Sequence, residues 1–144
     1  MTIEQVLNQQ IANWNVLYTK LHHFHWYVKG PHFFTLHAKF EELYEEAAAT
    51  MDEFAEQLLA NGGSPISTLK ESLQLATIEE TNEKLTAEEM VQVIINDFSL
   101  IIDELKTGME VAEQENDEVT SDMFLGLMGK LNKHNWMLKS FLNA

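Results

Sequence analysis

Residues 21–60 read LHHFHWYVKGPHFFTLHAKFEELYEEAAATMDEFAEQLLA. Gly30-Pro31 cuts this stretch in two, because glycine and proline together stop a helix. Before the cut, an apolar stripe of Ile3, Leu7, Trp14, Leu17, Leu21, Phe24 and Val28 advances by threes and fours. After it, Leu36, Phe40, Leu43, Ala47, Met51, Phe54 and Leu58 do the same, up to Asn61-Gly62-Gly63-Ser64-Pro65. That is the period of an amphipathic helix, not of a strand. Two helices joined by so short a turn are antiparallel neighbours.

Outward from this hairpin the pattern repeats. Thr2-x-x-Gln5 has the form of a capping box opening the first helix, and Thr86-x-x-Glu89 opens a third. The third is carried by Val91, Ile94, Phe98, Ile101, Ile102, Leu105 and Met109. Asp117 is a cap for a fourth, with Met123, Leu127, Leu131, Leu138 and Phe141 along it. Between the second and third helices lie about two dozen residues, within which Thr68-x-x-Glu71 predicts a short helix. A linker of that size can run the length of a helix of about 28 residues, roughly 40 Å. Four long helices with one long crossover predict an all-α, ferritin-like four-helix bundle filling residues 1–144 as a single domain.

Composition narrows the chemistry. There is no cysteine, so thiolate metal sites, disulfides and thiol nucleophiles are out. No leader-like or bilayer-spanning apolar run is visible, and the expectation is a soluble, cytoplasmic protein with no membrane partner. Twenty-three acids face nine lysines, with no arginine, for a net charge of −14. Such a chain repels phosphate backbones and draws cations into any channel it lines. No basic cluster of the kind that binds nucleic acid is present, and DNA binding is not expected.

Five of the six histidines fall within residues 21–37. His37 and Glu41 stand four apart on one helix face, as do Asp52 and Glu56 further along, and imidazole with carboxylate suits iron. One such pair is weak support, since solvated helix faces carry many acids. The two pairs cannot share an ion within one chain. Fifteen residues separate His37 from Asp52, roughly 22 Å along a helix. The Glu-x-x-His pattern of intrachain di-iron bundles is also missing, because Thr19, Lys20, His22, Lys29, Phe34 and Leu131 precede the six histidines by three. Pairing the second helix antiparallel with its copy about a two-fold axis near residue 46 or 47 removes the difficulty. His37 and Glu41 of one chain then face the second chain's Asp52 and Glu56, the small side chains of Ala47-Ala48-Ala49 allow close approach, and symmetry makes two equal sites. His25 of the first helix could join them.

HFHWYVKGPHFFTLH, HAKFEELYEE, MDEFAEQLLANGGSP and the late HNWMLKSFL together resemble the Dps family of miniferritins over essentially the whole chain. The resemblance implies a hollow dodecamer, a ferroxidase that oxidises Fe(II), preferably with hydrogen peroxide, and stores ferric mineral. It implies His25 and His37 as ligands, Glu41 where many relatives carry Asp, and Asp52 and Glu56 from the partner subunit. Trp26 matches a tryptophan beside the site that donates electrons to stray oxidants. EQENDEVTSD is similar to the family's iron-admitting pores, with Glu113, Glu118 and Asp122 as their lining, while Glu42, Glu45 and Glu46 are candidates for the mineral-facing surface. The competing reading is a Dps-like shell that protects DNA or serves as a surface-recognised assembly.

Overall fold

The computed structural model describes residues 1–143. It contains α1 (Ile3–Tyr27), α2 (Phe33–Ala60), α3 (Leu69–Leu75), α4 (Ala87–Gln114) and α5 (Glu118–Leu142), and no strand occurs among the described residues. The predicted stripes are the buried ones. Leu7, Trp14, Leu17, Leu21, Phe24, Phe40, Leu43 and Phe54 are all nearly inaccessible. The exceptions are Met51, Met109, Met123, Leu127 and Phe141, which are only half-buried. The chain resolves into two compact units, Glu4–Ala87 and Glu88–Ala144 with Met1–Ile3.

In the first unit, α1 and α2 run antiparallel, as ring contacts between Tyr18 and Tyr44 (5.9 Å), Phe24 and Phe40 (5.7 Å) and His25 and His37 (3.8 Å) show. At the far end of α2 the chain leaves through a Schellman turn. Gly63 N–H bonds to Leu58 C=O and Gly62 N–H to Leu59 C=O, each at 2.9 Å, with Gly62 at φ +84°. Only glycine takes that backbone conformation without strain.

The crossover is tied to α1 by polar side chains that the apolar periodicity does not reveal. The Glu4 carboxylate accepts Ser64 N–H at 2.7 Å, and Asn8 Oδ1 accepts Ile66 N–H at 2.9 Å. Buried Asn13 accepts from Thr77 N–H (2.7 Å) and Ile78 N–H (3.2 Å) through Oδ1. These bonds satisfy loop N–H groups that have no helical partner, which an irregular segment lying against a core requires. The short helix starts as predicted. Thr68 Oγ1 accepts Glu71 N–H at 3.1 Å and donates to the Glu71 carboxylate at 2.8 Å. The Thr68 hydroxyl first, and then Ser67 N–H at 3.4 Å, hold the Glu71 carboxylate below the usual range.

In the second unit, α4 and α5 meet at a turn in which one residue serves both. Asp117 N–H bonds to Ala112 C=O (2.8 Å) and Asn116 N–H to Glu113 C=O (3.1 Å), closing α4 through Asn116 at φ +58°. The Asp117 side chain then caps α5, accepting Thr120 N–H at 3.0 Å and the Thr120 hydroxyl at 2.6 Å. Glu115, next to this turn, accepts Ile3 N–H at 2.8 Å and so caps the start of α1. Further along, buried Asn135 donates to Ile95 C=O (3.3 Å) and Ser99 Oγ (3.1 Å), tying α5 to α4.

Candidate metal centre

The α1–α2 hairpin brings His25 and His37 face to face, their rings 3.8 Å apart and 11° from parallel. Each ring nitrogen Nδ1 meets the backbone carbonyl of the other residue, His25 Nδ1 at 2.6 Å from His37 C=O and His37 Nδ1 at 2.8 Å from His25 C=O. A carbonyl can only accept, so both Nδ1 atoms carry the proton and donate. In the neutral ring this leaves the lone pair on Nε2, the form that ligates a metal. The His25 carbonyl lies in the last turn of α1, where helices leave acceptors without intrahelical partners. His37 therefore closes the end of α1 while orienting its own ring. Phe33 stacks on the other side of His37 at 4.9 Å.

Glu41, one turn beyond His37, places Oε1 at 3.8 Å from His25 Nε2 and remains half exposed. The His25 imidazole and the Glu41 carboxylate thus approach one another at the open edge of the hairpin, with the His37 ring stacked on His25. Two further residues join them that the sequence reading did not assign. Tyr44 stacks on His22 at 3.7 Å, meets His25 edge-on at 5.4 Å, and directs its hydroxyl to Glu41 Oε1 at 3.5 Å. His22 is fixed by donating from Nδ1 to Tyr18 C=O at 2.7 Å. Burial and the adjacent Glu41 and Glu45 hold the Tyr44 phenol above its ordinary range. Helix spacing could have found both, since His22 precedes His25 by three and Tyr44 follows His37 by seven. Trp26 is largely exposed, and its ring neighbour is His22 at 5.3 Å.

Asp52 and Glu56 lie exposed near the other end of α2. A hydrogen bond from Asp52, and then its negative charge, raise the Glu56 carboxyl above the usual range. Two adjacent carboxyls disfavour each other's ionisation. Among the described residues of one chain, no three or more histidine, cysteine, aspartate or glutamate side chains come together closely enough to hold a metal ion. Of the proposed mineral-facing acids, Glu42 pairs with Lys39 at 3.2 Å. Glu113, Glu118 and Asp122 gather around one surface hollow of about 350 Å³, with Asn116 and Ser121 between them. The shared turn at Asp117 brings the end of α4 and the start of α5 together there.

His134 is buried with its ring 6.0 Å from Phe98, His32 is exposed at the N-cap of α2, and Trp136 is exposed on α5.

Known proteins can now be set beside this geometry. The ferritin-like domain family matches residues 4–144. DNA protection during starvation protein 2 of Bacillus anthracis is 56% identical over 139 residues, covering 96% of this chain and 95% of its own. The crystal structure of a Dps protein from Bacillus brevis superposes with a TM-score of 0.96 at 51% identity, covering 97% of this chain and 94% of that one. The chain belongs to the Dps family of ferritin-like proteins.

Its fold class is accordingly the all-α four-helix bundle with a short helix in the crossover, as the sequence predicts. A Listeria innocua Dps with two histidines replaced by glycine superposes at a TM-score of 0.96 and 42% identity, covering 100% of this chain and 96% of that one. No described helix of this Dps chain is long and apolar enough to cross a membrane.

Proposed function

We propose that this Dps protein is a ferroxidase and iron store, oxidising Fe(II) at sites shared between two-fold-related subunits of a dodecameric cage. The observation that carries this reading is the reciprocal pair of bonds that frees Nε2 on both His25 and His37. Packing alone would not require both imidazoles to spend Nδ1 on the backbone and keep Nε2 free, with that of His25 3.8 Å from Glu41. The replaced histidines of the Listeria innocua mutant stand twelve positions apart, as His25 and His37 do, and this supports treating the pair as functional.

In this reading Fe(II) is a substrate, not a resident cofactor. It is drawn through acidic pores lined by Glu113, Glu118 and Asp122, whose negative field concentrates divalent cations. It binds between His25, His37 and Glu41 of one chain and the Asp52–Glu56 pair of the other, which supplies the charge that the histidine half lacks. Two Fe(II) ions give two electrons to hydrogen peroxide, which takes up two protons and leaves as two waters. The weak, oxygen-rich ligand set lets the ferric product move on to inner carboxylates such as Glu42, Glu45 and Glu46. Removing Fe(II) and peroxide together limits oxidative damage in the cytoplasm without contact with DNA. Relatives carry names for DNA protection, but a net charge of −14 opposes direct binding to a polyanion.

The test is anaerobic loading with Fe(II), followed by peroxide or oxygen, with ferric absorbance and particle size recorded together. Fast oxidation in a particle near twelve subunits, faster with peroxide, supports the reading. A monomer, or oxidation no faster than in buffer, refutes it. Linear duplex DNA should not shift on a gel at neutral pH and physiological salt, and a clear shift there would favour the DNA-coating shell instead.

A further inference from the structure

The C-cap of α2 is an Asn61-Gly62 pair, and both residues are exposed. Asparagine is chemically labile when glycine follows it, because no Cβ hinders attack by the next backbone nitrogen on the side-chain amide. Here the fold restrains that attack without burying the atoms. Asn61 keeps a helical backbone, at φ −77° and ψ −4°, whereas ring closure needs its ψ turned well outside the helical range. Gly62 N–H, the attacking group, is bonded to Leu59 C=O at 2.9 Å, and Asn61 Oδ1 accepts from Gln57 Nε2 at 3.0 Å. The same turn anchors the crossover. Gly63 N–H bonds to Leu58 C=O at 2.9 Å, and Ser64 donates its N–H to the Glu4 carboxylate of α1 at 2.7 Å. A Cβ on Gly63 would run into both Leu58 and Glu4, so the packing leaves little room for a displaced chain.

We infer that Asn61 is a site of spontaneous deamidation, gated by opening of this turn, and that the isoaspartate it forms unpins the crossover from α1. This chemistry does not depend on iron. When the turn opens, the Gly62 nitrogen loses its proton to solvent and bonds to Asn61 Cγ, the Cγ–Nδ2 bond breaks, and ammonia leaves. Water then opens the cyclic imide. Cleavage of the nitrogen's bond to Cγ gives aspartate, and cleavage of its bond to the Asn61 backbone carbonyl gives isoaspartate. Water enters for the ammonia lost, and no oxidant is needed. Either product puts a negative charge at the C-terminal end of α2, where the helix dipole is already negative and no basic residue stands in the last turn. Isoaspartate also lengthens the main chain by a carbon. That shift takes the Gly62 and Gly63 N–H groups out of register with their acceptors and draws Ser64 away from Glu4.

The experiment holds the assembled protein at mildly alkaline pH below its unfolding temperature, beside the same chain unfolded in denaturant, and follows both by peptide mapping with mass spectrometry. In the folded protein Asn61 should convert faster than the chain's other asparagines. It should still convert roughly tenfold or more slowly than in the unfolded chain, because the turn must open first. Gln57→Ala should speed conversion about two- to tenfold, the effect of losing one hydrogen bond. Isoaspartate, labelled by an isoaspartyl methyltransferase, should accumulate together with faster hydrogen exchange at the Ser64 amide, and Asn61→Gln should abolish both changes. An Asn61 that stays intact in the folded protein while the unfolded chain converts would overturn the assignment. Equal rates in the two states would remove the turn as the gate, and unchanged Ser64 exchange in the isoaspartate fraction would contradict the unpinning.

Discussion

At the N-terminal end of α2, His37 is locked before any ion arrives. Its Nδ1 is spent on the His25 carbonyl, His25 answers in kind, and the rings stack 3.8 Å apart. Fifteen residues further along the same helix, Asp52 and Glu56 stand exposed, and Asp52 raises the Glu56 carboxyl above the usual carboxylate range. One half has its geometry prepaid in protein hydrogen bonds. The other concentrates negative charge on two adjacent carboxyls. In the proposed shared site each supplies what the other lacks, and the rise of a helix keeps them from meeting within one chain.

This contrast separates the consequences of mutation. The largest effect is expected at the preorganised half. His37→Ala removes a proposed ligand and the donor that closes α1, so iron oxidation should fall by more than the roughly 10- to 100-fold typical of losing an outer-shell partner. Stopped-flow absorbance at saturating Fe(II) checks this, and a milder loss would show that Nε2 of His37 is not a ligand. Neutralising Glu113, Glu118 and Asp122 together should slow oxidation about tenfold at sub-saturating Fe(II), through lost attraction for a divalent cation. An unchanged initial rate would place the iron route elsewhere.

At the acid half the prediction concerns pH. Because Asp52 raises the Glu56 carboxyl, protons compete for it at a higher pH than for an ordinary glutamate. A cation must displace that proton, so binding at this half should weaken as pH falls through the raised range. The folded chain holds the proton more tightly than the unfolded one. The pair is therefore least unfavourable to folding below the raised pKa and becomes repulsive as pH rises above it, by little for groups this exposed. Asp52→Asn should return Glu56 to the ordinary range in a carbon-13 NMR titration, and an unmoved midpoint would mean that Asp52 is not the cause. The smallest effect lies away from both halves. Asp117→Ala removes the cap of α5 and should cost about 1 kcal/mol, read by denaturant unfolding.

The helices and their order were legible because the apolar stripes repeat at helical period and the capping residues Thr68 and Asp117 stand where caps must. The i, i+4 spacing of His37–Glu41 and Asp52–Glu56 marked the two pairs as the proposed half-sites, and helix rise showed that they lie too far apart within one chain. Less was legible where side chains from different segments meet. Nothing in the periodicity says that Asn13 will take the N–H groups of Thr77 and Ile78, or that Glu115 will cap α1. Tyr44 was hidden for the same reason. Its importance lies in a stack on His22 across the hairpin, and spacing on α2 alone reads it as one more half-buried ring.

The account's central claim is that each site draws its histidines from one chain and its acid pair from another. His37→Ala and Asp52→Ala are prepared as separate assembled proteins, each expected to have lost fast iron oxidation. They are dissociated, mixed and reassembled, with each variant carried alone through the same cycle and mixed particles verified by mass spectrometry. In a mixed dimer one site lacks both ligands, while the other takes an intact His37 from the Asp52→Ala chain and an intact Asp52 from the His37→Ala chain. The shared-site account predicts that part of the activity returns. Mixed particles as inactive as their parents would contradict it.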